Sequence, residues 1–246
     1  MRLSLAVLLA LAGCRAGSQS APPPPKPAPA RVVIAGASGE EPGFAADPDA
    51  ILRDLERWRG LAFQGELEVD LVPRGAVGDA KLNGWYEPST KRLVVVEGET
   101  EAMGRGVLVH ELFHALQDQH FDLARLHAAA RDEDAARAVT ALIEGEAMLA
   151  VSELLDYDFE QHAQLPPAGP LDPERFEKIF HYGAGLRFVR ALRDAGGWEL
   201  VDAAFRDPPL RTAEILHPER YRERTRERDE AELFDAWRRS SIVIGS

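Results

Sequence analysis

The segment HELFHALQDQH, residues 110 to 120, leaves this chain little freedom in how it folds. His110 and His114 stand four residues apart, and two imidazoles so spaced share one face only if the segment is helical. Glu111 follows the first histidine, so on that helix it points beside the pair. Neutral imidazoles suit a divalent ion such as zinc, and a carboxylate next to them is placed to act as general base on a water. A catalytic zinc site takes three protein ligands and leaves a fourth position for water. The fold must therefore supply a helix here and a third ligand from another element.

The surrounding pattern provides the scaffold. DPDAILRDLERWRGL (47–61) puts Ile51, Leu52, Leu55 and Trp58 on one helical face, with Asp47 or Asp49 as cap. GELEVDLVPR (65–74) alternates Leu67, Val69 and Leu71 with charged neighbours, the period of a half-buried strand. NGWYEP (83–88) and KRLVVVE (91–97) flank Pro88-Ser89-Thr90 and read as a β-hairpin. Helical spacing then runs over 102–118, 132–157 and 174–197, the last with Gly196 as a natural stop, and shorter helices are expected over 197–206 and near Thr212 to Leu216. These elements predict an α+β fold, a small twisted sheet with a hairpin followed by a mostly helical half. The strand 92–96 is either a sheet edge open to an extended peptide or a covered core strand.

Two positions compete for the third ligand. His120 is the first, six residues after His114. The second is in ALIEGEA, where Glu144 and Glu146 lie within a strongly apolar helical pattern. A carboxylate on a buried helical face needs a cation or a donor to offset its desolvation.

The alternatives resemble different metallopeptidase families. His120 stands where the metzincins place their last histidine, but the glycine that turns the metzincin chain out of its helix is Gln117 here, and no metzincin-like Met turn is present. A continuing helix leaves His120 about 240° around the axis from His114. The pair HExxH and Glu144-Gly145 resembles the gluzincins, whose third ligand is a glutamate on a later helix. That resemblance implies a zincin-like fold around the HExxH helix, Zn2+ held by His110, His114 and Glu144 with Glu146 in reserve, Glu111 as catalytic base, and hydrolysis of a peptide or protein substrate. GWYEPSTKRLVVV, HELFHALQDQHFDL, YGAGLRFVRAL with GGWELVDAAF, and PPLRTAEILHPERY resemble uncharacterised bacterial secreted and lipoprotein HExxH proteins, over most of 83–221. One departure from the gluzincins is Met148, where some place an acidic residue behind the metal; Asp118, one turn beyond His114, is the candidate for that supporting role.

Peptidases of this class add a Tyr or His donor for the oxyanion. Tyr182, in the HYGAG segment, is the first candidate and His181 and His217 the others; His127 and His162 carry no motif and read as surface residues.

The remaining sequence concerns location. MRLSLAVLLALAGC has one basic residue ahead of an apolar run ending in Cys14, the only cysteine, and reads as a secretory signal over 1–13. Its ending resembles the bacterial lipobox, which implies a lipidated Cys14 on a membrane; Arg15 after it points to the outer membrane, facing periplasm or exterior. Residues 14–30 are Pro- and Ala-rich and form a tether, leaving 31–246 as the metallopeptidase domain. A net charge of −12 without a basic stripe excludes nucleic acid as a natural partner, and the mixed charge run 220–232 reads as a solvated helical face. A non-catalytic zinc-binding lipoprotein, acting as a binding or assembly module, is the rival of another class. Hydrolysis of a non-protein amide, as in cell-wall peptides, is open to the same chemistry.

Overall fold

The computed structural model describes residues 31–35, 47–73, 75, 77, 83–96, 101–157 and 173–242. The signal 1–13, Cys14, the tether to residue 30 and His162 lie outside the described residues.

Helix α1 (Pro48–Arg59) begins where Asp47 accepts a hydrogen bond from Asp49 N–H, with proline in the first turn, and ends at Gly60 in the left-handed conformation (φ 74°). It connects β1 (Arg31–Ala35) to β2 (Glu66–Val72), which pair in parallel, Ile34 opposite Val69. The sequence pattern did not mark β1. The hairpin β3 (Gly84–Glu87) and β4 (Arg92–Val96) completes a sheet of order β1-β2-β4-β3, with β4 parallel to β2 and antiparallel to β3. Strand β4 is thus the covered core strand, and β3 is the edge.

Helices follow: α2 (Glu101–Phe121), α3 (Leu123–Ala128), α4 (Glu133–Leu154), α5 (Pro173–Lys178), a π-helical turn Ile179–Ala184, α6 (Gly185–Arg206), α7 (Thr212–Leu216) and α8 (Pro218–Ile242). The chain is α+β, and helices take 71% of the described residues. Gly196 and Gly197 break α6 (φ −156° and 67°), so the expected stop and the short helix beyond it are both present. Helix α5, the π turn and α6 run on without a gap, Lys178 and Gly185 both being right-handed helical, so the helix that the spacing over 174–197 predicts is present with a π-helical stretch inside it. The run 220–232 lies in α8 and is mostly exposed.

One core joins the sheet to α1 and α2 through Leu67, Val69, Leu93, Val95, Leu55, Leu112 and Phe113; the other packs α3, α4, α6 and α7 around Leu142, Phe188 and Phe205. Helix α4 belongs to both, offering Ala147 and Ala150 to the first and Ala138, Leu142 and Leu149 to the second. A helix apolar around most of its circumference is a buried one, so each carboxylate on it needs a partner.

Candidate metal centre

Helix α2 packs on the sheet with its C-terminal half between the hairpin and α4. It continues unbroken past Gln117, which is the local reason that His110 and His114 face one way and His120 another. From α4, Glu144 reaches across: its Oε2 lies 3.1 Å from His110 Nε2 and 3.4 Å from His114 Nε2, and the two histidine nitrogens are 3.0 Å apart. These three residues are the one group among the described residues whose ligand atoms converge as a metal site requires. Ligands held tetrahedrally at about 2.0–2.1 Å stand about 3.3 Å from one another, so the triangle has the edge lengths of a zinc site. Two imidazole nitrogens and one carboxylate oxygen also make the donor set that zinc favours.

The electrostatics describe a place for positive charge. Burial alone would raise the Glu144 pKa, but the His114 charge and hydrogen bonds from both histidines hold it far below the usual carboxylate range. Burial works in the opposite direction at His114, where Glu144 and then Glu111 overcome it and push the imidazole up to about 9. Converging lone pairs repel unless a proton or a cation lies among them, and a metal ion replaces the proton.

Glu111 is buried in the next position of the helix, and its charge acts on both His114 and Tyr182. Edge strand β3 runs against this part of α2. A Cβ on Gly84 would meet Val107 Cγ1 at 2.7 Å and Glu111 Cγ at 3.4 Å, so glycine is what lets the strand come this close. Tyr182 arrives from the π turn, its ring 5.9 Å from that of His110 in an edge-on contact. Burial and then the charges of Glu144 and Glu111 raise its pKa, which keeps the phenol protonated and a donor. A π turn is a frequent device for displacing one side chain toward a site.

The other candidates go elsewhere. His181 Nε2 lies 3.3 Å from Glu177 Oε2, with burial lowering its pKa, and His217 is exposed beside Glu219. His120 Nε2 is bonded to the carbonyl of Ala62 at 2.9 Å, away from the cluster. Glu146, the reserve ligand, is fully buried against Arg59 and Gln117 rather than the histidines. Asp118 does not support a histidine, a correction to the sequence-based expectation. Its carboxylate accepts from Tyr86 Oη, Lys91 Nζ and Leu123 N–H, tying the hairpin turn to the start of α3. The partner of His114 Nδ1 is Gln117 Oε1 at 2.9 Å, one position earlier on the helix.

His127 is exposed on α3, as its lack of a motif implied. Sequence reasoning missed Gln117, which stands at i+3 from His114 but was weighed only as a residue that continues the helix.

Compared with family models, curated proteins and solved structures, the chain matches none of them.

Proposed function

We propose that this chain is a zinc-dependent hydrolase of peptide bonds, gluzincin-like in its ligands and zincin-like in its fold, held at a bacterial membrane surface through a lipidated Cys14. The observation that carries the reading is the triangle of His110 Nε2, His114 Nε2 and Glu144 Oε2, 3.0 to 3.4 Å on a side, beside buried Glu111. A site meant only to hold structure has no use for a base next to its ligands, which favours the enzyme over a binding module.

Zinc held by these three residues supplies Lewis acidity and lowers the pKa of a bound water. Glu111 takes the proton of the attacking water and returns it to the leaving amine. Tyr182, held protonated, donates a hydrogen bond to the carbonyl oxygen as negative charge develops on it. The outer edge of β3 carries an extended peptide by backbone hydrogen bonds, giving affinity with little sequence selectivity.

The test is hydrolysis of a quenched peptide library by the purified protein, with a chelator and then with zinc restored. Activity should vanish and return. Glu111→Gln should lower turnover by about 10²–10⁴-fold with zinc still bound. Full activity in that variant removes the role given to Glu111, and zinc binding with no hydrolysis of peptides or cell-wall amides favours the non-catalytic module.

A further inference from the structure

We propose that Gln117 is a positioning residue of the metal centre. It fixes His114 as the Nδ1-protonated tautomer, with the Nε2 lone pair toward His110 and Glu144, and the buried Glu146–Arg59 pair holds Gln117 in that orientation. This rests on the zinc-site reading above and adds how the ligand is set.

A glutamine amide presents one oxygen that accepts and one nitrogen with two hydrogens to give. The Gln117 nitrogen has two acceptors before it, the carbonyl of Ile143 at 3.1 Å and Glu146 Oε2 at 2.8 Å. Neither can donate in return, because one is a carbonyl and the other a carboxylate engaged by a guanidinium. Turning the amide over would place its oxygen against both. The orientation is therefore decided, and the oxygen faces His114 Nδ1 at 2.9 Å. An acceptor there requires a hydrogen on Nδ1, which leaves Nε2 as the ligand nitrogen.

The clamp reaches further. Glu146 Oε1 accepts from Arg59 Nε at 2.5 Å, and Arg59 Nη2 also donates to Asp202. Arg59 and Glu146 side chains are 1% and 0% exposed, so neither charge has water to fall back on. The Arg59 guanidinium also stands 4.4 Å from the centre of the Trp198 ring. Four helices, α1, α2, α4 and α6, are joined through polar groups that end on one histidine. Glu144 and Glu146, two residues apart on α4, thus divide the work: one points into the cluster and the other sets the histidine opposite. Partners of this kind behind a ligand alter metal affinity by about 10–100-fold when removed.

The experiment measures zinc affinity of the full chain by competition with a chromophoric chelator. Gln117→Met should weaken binding by about 10–100-fold. The double exchange Gln117→Glu with Glu146→Gln keeps an acceptor facing Nδ1, a donor facing residue 117 and the net charge, but sets a carboxylate oxygen near the Ile143 carbonyl and an amide before Arg59, so it should recover only part of the affinity lost in Gln117→Met. A structural role alone predicts no such recovery. Unchanged affinity in Gln117→Met overturns the inference while leaving the zinc site in place; a starting protein that binds no zinc sinks both. Should the methionine variant not fold, the exchange variant and ¹⁵N-edited spectra of the zinc-loaded protein decide. A His114 Nδ1–H protected from solvent exchange supports the assignment, and ligation through Nδ1 overturns it.

Discussion

Gly145 of α4 and Gly185 of α6 meet backbone to backbone. A Cβ built on Gly145 would lie 2.1 Å from the Gly185 carbonyl carbon, and one on Gly185 would lie 2.0 Å from the Ala141 carbonyl oxygen. Neither obstacle is a side chain that can swing away, so the helices would have to part. Gly145→Ala and Gly185→Ala should each cost about 1–3 kcal/mol or more by overpacking, read as a lower urea midpoint. Because Glu144 precedes Gly145 and Tyr182 lies in the turn leading into Gly185, both variants should also weaken zinc binding or turnover. Gly106→Ala is the contrast. Its Cβ would find only Leu155 Cδ1 at 3.9 Å, and a better helix former there should leave stability unchanged or raise it by about 0.5–1 kcal/mol. Equal behaviour of the three variants would remove the close-contact account.

Zinc content per molecule separates the two ligand sets first posed by the sequence. Glu144→Ala removes the carboxylate that lies 3.1 Å from His110 and should empty the site. His120→Ala removes only a bond to the Ala62 carbonyl and should leave zinc in place. The reverse pattern would require α2 to end near Gln117 and the fold around it to be different.

What the sequence made legible here was local. The HExxH helix, the Asp47 cap, the hairpin and the break at Gly196 each follow from residues within a few positions of one another, where periodicity and turn chemistry act. The apolar pattern marked Glu144 and Glu146 alike as carboxylates in need of a partner, and the gluzincin resemblance, not the pattern, chose Glu144. The partners of Glu146 were not, since Arg59 is 87 residues away and reads in sequence as one more basic residue closing a helix. Asp118 was misassigned for a related reason: helical spacing names the residues near a histidine but not the neighbours on other elements, and Tyr86, Lys91 and Leu123 N–H claim its oxygens. The π turn left no mark either, because one extra residue per turn barely disturbs an apolar pattern over six positions.

The pair Arg59–Glu146 should be among the most sensitive in the chain. Arg59→Ala leaves Glu146 with Gln117 as its remaining partner and no opposing charge, in a place without solvent. Breaking a buried ion pair from one side costs about 3–5 kcal/mol. The cost should appear in denaturant unfolding of the metal-free protein. A loss below about 1 kcal/mol would mean that the pair is more hydrated than its burial indicates.

Tyr182 provides the prediction that separates metal holding from catalysis. Its ring is edge-on to His110 at 5.9 Å, and His110, His114 and Glu144 already make the three protein ligands that a catalytic zinc takes. Removing the hydroxyl should therefore leave zinc affinity as it was. The buried phenol stays a donor across the ordinary pH range, because burial and the charges of Glu144 and Glu111 all raise its pKa. If it meets the developing oxyanion, Tyr182→Phe should lower kcat by about 10²–10³-fold, the usual cost of one oxyanion donor, with little change in KM. The phenylalanine keeps the ring packing on His110, so a change in folding stability is not expected to obscure the result. A fall in KM alone, or no kinetic effect, would release Tyr182 from the role.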